Sequence, residues 1–69
     1  MKENSLQLEI ESALLQDRLT EHADIEVLDN NGVVTLRGIV HSREERDRAE
    51  EIVRQVPGVV SVTNELDVI

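Results

Sequence analysis

The stretch Asn31–Ser42, reading NGVVTLRGIVHS, constrains the fold of this chain more than any other. It opens on an Asn-Gly pair, two residues that tolerate the positive φ values of tight hairpin turns. It then alternates: Val34, Leu36, Gly38 and Val40 fall on one side, Val33, Thr35, Arg37 and Ile39 on the other. It closes on Ser42, a residue suited to starting a helix. The pattern predicts a central strand over Val33–Val40, entered from a hairpin and left through a crossover helix.

The segments around it fit that plan. Residues from about Ser5 to Asp17 read as a helix, with Asn4 or Ser5 as N-cap. Leu6, Ile10, Ala13 and Leu14 share one face, while Leu8 and Leu15 project from nearly the opposite side. In the plain reading Leu15 tucks against the second helix and Leu8 is singly exposed. In the alternative the two leucines form a stripe on which a partner docks. Arg18 to Asp24 reads as a polar connection from which Leu19 returns to the core. His22 and His41 stand alone, without a second ligand at a metal-binding spacing, and read as solvated.

Ile25–Leu28 is a short strand, turned through Asp29-Asn30-Asn31-Gly32 to pair antiparallel with Val33–Val40. A glycine inside a strand is costly unless something approaches closely, and a helix backbone is expected over Gly38. Ser42-Arg43-Glu44-Glu45 is a capping box, with Glu45 reaching back to the Ser42 amide. The helix that follows buries Ala49, Ile52, Val53 and Val56 and turns Arg43, Asp47, Glu50, Glu51 and Arg54 outward. Glu44–Arg48, Arg46–Glu50 and Glu50–Arg54 are spaced for exposed ion pairs worth about 0.3–0.5 kcal/mol each. Pro57-Gly58 ends this helix.

The last strand spans Val59–Val68, with Val60, Val62, Leu66 and Val68 alternating against Ser61, Thr63, Glu65 and Asp67. Asn64 interrupts the apolar register, which suggests a side-chain hydrogen bond to a backbone group. A right-handed crossover makes this strand parallel to Val33–Val40, without settling where it lies in the sheet. The result is an α+β chain in α-β-β-α-β order: a two-layer α/β sandwich, with two helices on one face of a three-stranded mixed sheet. The other face carries Val33, Thr35, Arg37, Ile39, Ser61 and Thr63. Either it is solvated, or a neighbouring domain or second subunit covers it.

Composition narrows the function. Sixty-nine residues form one domain near the lower limit for unaided folding. Without cysteine or any aromatic residue, the core is Val, Leu, Ile and Ala, and room for a large flat cofactor is scarce. The formal charge of −8 opposes nucleic acid and anionic membrane surfaces, and base stacking is unavailable. No apolar run is long enough to span a bilayer and no signal peptide is evident. The chain therefore reads as a complete cytoplasmic protein or as a domain excised from a longer, for instance envelope, protein.

With this architecture in hand, the residues resemble the BON domain, named for bacterial osmotically inducible and nodulation-related proteins. The resemblance rests on Ala13-Leu14-Leu15, Ile25-x-Val27, Asn31-Gly32-Val33-Val34-Thr35-Leu36-x-Gly38-x-Val40, Ala49, and Gly58-Val59-x-x-Val62-x-Asn64-x-Leu66-x-Val68. It covers about Leu6 to Val68. The family's motif residues fall on Gly32, Gly38, Gly58 and Asn64, all with structural roles. The resemblance implies a non-enzymatic binding module, associated with osmotic stress, the bacterial envelope and phospholipid surfaces, or an accessory domain of larger proteins.

Catalysis is the least favoured class, since no nucleophile-base set, phosphate-binding glycine loop or metal cluster is visible. No catalytic, cofactor-binding or metal-ligating residue is assigned. For a lipid-binding module the candidates are Arg37, Arg43, Arg46 and Arg54, with Leu8 and Leu15. For a protein-docking or self-associating module they are the open sheet face, including Ile39, and the leucine stripe. A cation held by backbone carbonyls or acidic loops is a weaker third idea.

Overall fold

The computed structural model describes residues 5–69. Its elements are α1 (Ser5–Leu15), β1 (Asp24–Asn30), β2 (Val33–Val40), α2 (Arg43–Arg54) and β3 (Ser61–Val68). The sheet order is β1-β2-β3. β2 is therefore central, antiparallel to β1 and parallel to β3. The α+β reading of the sequence holds in element order and type, and the place left open for β3 is beside β2.

The hairpin turn is the Asn31-Gly32 pair itself. Asn31 has φ of 55° and Gly32 of 90°, the two positive values that a twist-compatible two-residue turn requires. Asp29 Oδ1 accepts the Gly32 N–H at 2.9 Å and so fixes the turn from within. Register follows: Asn30 opposes Val33, Val27 opposes Leu36, and Asp24 opposes Ile39.

Ile10, Val34, Leu36, Val40, Ala49 and Val53 have no exposure, and Leu14, Val27 and Leu66 join them in one core. Each strand contributes from the face turned to the helices, which is why β2 alternates so cleanly. Leu6, Ile52, Val56 and Val62 close the core at its margins.

Helix α2 starts as expected at Ser42, an extended residue whose Oγ accepts the Glu45 N–H at 3.1 Å. Glu45 reaches one residue further back than expected, accepting the His41 amide at 2.8 Å instead of that of Ser42. Of the two N-cap candidates for α1, Asn4 lies outside the described residues, and Ser5 is the first helical residue described. α1 ends at Leu15, two residues before the expected Asp17.

Several side chains depart from expectation for local reasons. Asp17 Oδ2 accepts the Leu19 N–H, and the tight turn this sets up rotates Leu19 outward and Thr20 inward. Thr20 is buried in place of Leu19, its hydroxyl donating to the Leu14 carbonyl at the end of α1, which also accepts the Asp17 N–H at 3.5 Å. The close approach at Gly38 comes from the neighbouring strand, not from a helix. A Cβ there would stand 2.0 Å from the Asp24 carbonyl oxygen, at a φ of 129°. Val60 is 76% exposed, because pairing with β2 begins only at Ser61. Its N–H donates to the Gly32 carbonyl at 2.7 Å, ahead of the strand.

Candidate interaction surface

Among the described residues, nothing covers the sheet face away from the helices. Its residues follow from register: across the three strands run Asp24–Ile39–Asp67, Glu26–Arg37–Glu65, Leu28–Thr35–Thr63 and Asn30–Val33–Ser61. Directly opposed residues of a sheet share a face, so these four rows form one surface. Leu28, Val33 and Ile39 are 39%, 45% and 42% exposed. The sequence placed Val33, Thr35, Arg37, Ile39, Ser61 and Thr63 here, and all six lie on it.

The acidic corners were missed. Asp24, Glu26, Glu65 and Asp67 surround Ile39 and Arg37, and all four are exposed. The signal for them was present: a two-residue turn at Asn31-Gly32 forces Glu26 opposite Arg37, and the period of two carries Ser61 and Thr63 on to Glu65 and Asp67. Arg37 is not a free cation. Its Nε donates to Glu65 Oε1 at 3.0 Å.

The other candidate arginines are mostly committed too. Arg54 Nη2 lies 2.5 Å from Glu50 Oε2, as the spacing predicted. Arg46 pairs with its neighbour Asp47 at 3.2 Å and not with Glu50. Arg43 is exposed, without an acidic partner within 4.0 Å among the described residues. Arg48 does not pair with Glu44, because the turn after α1 brings Asp17 within reach. It donates through Nε and Nη2 to Asp17 Oδ1 at 3.1 and 3.0 Å, and through Nη1 to Glu51 at 2.7 Å. Its hydrogen bonds hold the Asp17 carboxyl below the usual aspartate range, and they push its own pKa further up.

The leucine stripe of α1 is exposed at both ends, Leu8 at 55% and Leu15 at 64%. Leu15 does not tuck against α2; it borders a shallow hollow with Glu11, Thr20, Ala23 and Ile25 on the β1 side of α1. The leucines and the open sheet face belong to different layers of the sandwich.

The motif residues sit at junctions. Asn64 Nδ2 donates to the Arg46 carbonyl at 3.0 Å and to Glu50 Oε1 at 3.2 Å, and its Oδ1 accepts the Leu66 N–H at 3.1 Å. Gly32 lies against Gly58: a Cβ on Gly32 would meet the Gly58 carbonyl oxygen at 2.8 Å. Gly38 admits the Asp24 carbonyl, as described. His22 lies 3.7 Å from Glu21, and His41 3.7 Å from Glu45. Among the described residues, no group of three or more His, Cys, Asp or Glu is placed to hold a metal ion. No helix among them is long and apolar enough to cross a membrane.

These observations define a small two-layer α+β module whose distinguishing features are surfaces, not a cleft. Residues 2–69 match the BON domain family, and the chain belongs to it. It is also similar to osmotically-inducible protein Y of Escherichia coli strain K12, at 43% identity over 58 residues. That alignment covers 84% of this chain and 29% of the relative, so the chain spans less than a third of the relative's length. The BON family and osmotically-inducible protein Y are non-enzymatic kinds of protein.

Proposed function

We propose that this domain is a passive docking module that engages another protein through the open face of its sheet. One observation carries the reading: the aliphatic side chains Leu28, Val33 and Ile39 stand exposed on one sheet face, and nothing among the described residues covers it. Strand-forming side chains alone would be served there by threonine, as at Thr35 and Thr63. Leu28 and Val33 adjoin across the β1–β2 pair and Ile39 stands beyond Arg37; three exposed aliphatic side chains on one face of so small a domain mark it as a contact surface.

A phospholipid or envelope surface, the role the family resemblance implies, is the competing reading. Its support is weaker on this chain, because Arg37, Arg46 and Arg54 already face carboxylates and the net charge is −8. A catalytic reading has less again. The hollow of about 250 Å³ at Asp47, Glu50, Glu51 and Arg54 lies on the outer face of α2, its guanidinium bonded to Glu50.

A photo-crosslinking residue placed at Ile39, with Glu44 on α2 as control position, tests the proposal in cells. Protein adducts specific to position 39 are expected. The captured protein, once identified and purified, is expected to bind the domain and to lose binding to a V33T/I39T variant. Adducts with lipid only, or equal capture from both positions, would overturn the reading. Flotation with neutral and with anionic vesicles at low salt then tests the lipid alternative directly.

A further inference from the structure

We infer that the occupant of the open sheet face is a polypeptide surface that brings lysine or arginine side chains around an aliphatic centre. This rests on the docking reading above and names the partner's chemistry. Val33, Thr35, Arg37 and Ile39 run in that order along the middle of the face, with Leu28 beside Thr35, so Arg37 sets Ile39 apart from Leu28 and Val33. Around the Ile39 end of this line stand Asp24 and Glu26 on β1, and Glu65 and Asp67 on β3. Strands lie about 4.8 Å apart and alternate residues about 7 Å apart along a strand. The four carboxylates thus mark the corners of a frame roughly 10 by 7 Å, with Ile39 and Arg37 on its midline.

Arg37 cancels one of those charges through Glu65, which leaves three net negative charges around Ile39. The remaining base nearby, His41, is turned to Glu45. A neutral apolar partner would desolvate these carboxylates without compensation, which is costly. An acidic partner would be repelled. A second copy, laid face to face, would set carboxylate frames against each other or against Val33 and Leu28, and neither arrangement pairs the charges. Cationic side chains at the corners satisfy them while leaving Ile39, at the centre, to be buried, and the complementarity also speeds encounter.

Charges on edge strands also discourage edge-to-edge pairing, so the test must separate partner recognition from that role. Three synthetic peptides of equal aliphatic content, flanked by Lys/Arg, by Gln/Ser or by Asp/Glu, are titrated into the labelled domain and followed by amide chemical shifts. The basic peptide is expected to shift Glu26, Arg37, Ile39 and Glu65 selectively and to weaken with added salt. A D24N/E26Q/E65Q/D67N variant with an unchanged melting curve is expected to bind it about tenfold more weakly. Equal binding of basic and neutral peptides at this face would overturn the charge assignment and leave the docking reading standing. Shifts confined to other faces, or none with any peptide, would overturn both, and a dimer by sedimentation with shifts at this face would replace the partner with a second copy.

Discussion

Asn64 in β3 donates through Nδ2 to the main-chain carbonyl of Arg46 in α2, at 3.0 Å. It also binds Glu50 Oε1 and, through its own Oδ1, the amide of Leu66, so one polar side chain ties a helix flank to two positions of a strand. Asn64 opposes the fully buried Leu36 across the sheet, a position otherwise given to aliphatic residues. Its three bonds offset the cost of placing an amide there.

Replacing it tests that account. N64A is expected to lower stability by about 1–3 kcal/mol, since it leaves partly buried groups without partners. T63A, on the exposed face one residue away, is expected to cost within about 0.5 kcal/mol. Urea unfolding of the two variants decides it; equal losses would show that the clamp contributes nothing beyond strand propensity.

Gly38 makes a sharper demand. A methyl group there would overlap the Asp24 carbonyl at 2.0 Å, on a backbone with φ of 129°. The obstacle is main chain in a paired strand, which cannot swing aside as a side chain can. G38A is expected to cost at least about 3 kcal/mol, combining backbone strain with forced separation of β1 and β2. For a domain of this size that approaches the whole folding free energy of about 3–5 kcal/mol. A melting temperature like the parent's would refute the assignment.

The Asp17–Arg48 bridge predicts a pH signature. Arg48 lowers the folded-state pKa of Asp17, so the pair's contribution is present above the ordinary aspartate value and is lost as pH falls through the lowered one. D17N removes that contribution at neutral pH. The gap between parent and D17N urea midpoints is therefore expected to be open at about pH 7 and to close towards about pH 2. A gap independent of pH would mean that the bridge acts through packing alone.

Two leucines and one isoleucine of α1 separate surface from core. L8S/L15S is expected to leave stability within about 0.5 kcal/mol per site, because both side chains are already in water. I10A, at a position with no exposure, is expected to cost about 2–5 kcal/mol and to leave much of the population unfolded. Thermal melts give both numbers. Sedimentation of L8S/L15S beside the parent also asks whether the stripe mediates self-association: loss of a dimer on substitution would assign it that role.

What the sequence determined by itself was whatever depends on neighbours in the chain. The Asn31-Gly32 turn, the alternation of Val34, Leu36 and Val40, and the Ser42 cap are local devices, and each produced its element where expected. The family motif was legible for the same reason, since its glycines and Asn64 punctuate those devices. What only the tertiary structure decided was which partner won when several were within reach. Arg48 left Glu44 for Asp17 in the turn after α1, Thr20 displaced Leu19 from the core, and the strand beside Gly38, not a helix, claimed its empty space. The acidic frame around Ile39 belongs to this second group as well. Its four carboxylates come from two strands about 40 residues apart in sequence, and only the sheet register, through β2, sets them on one face.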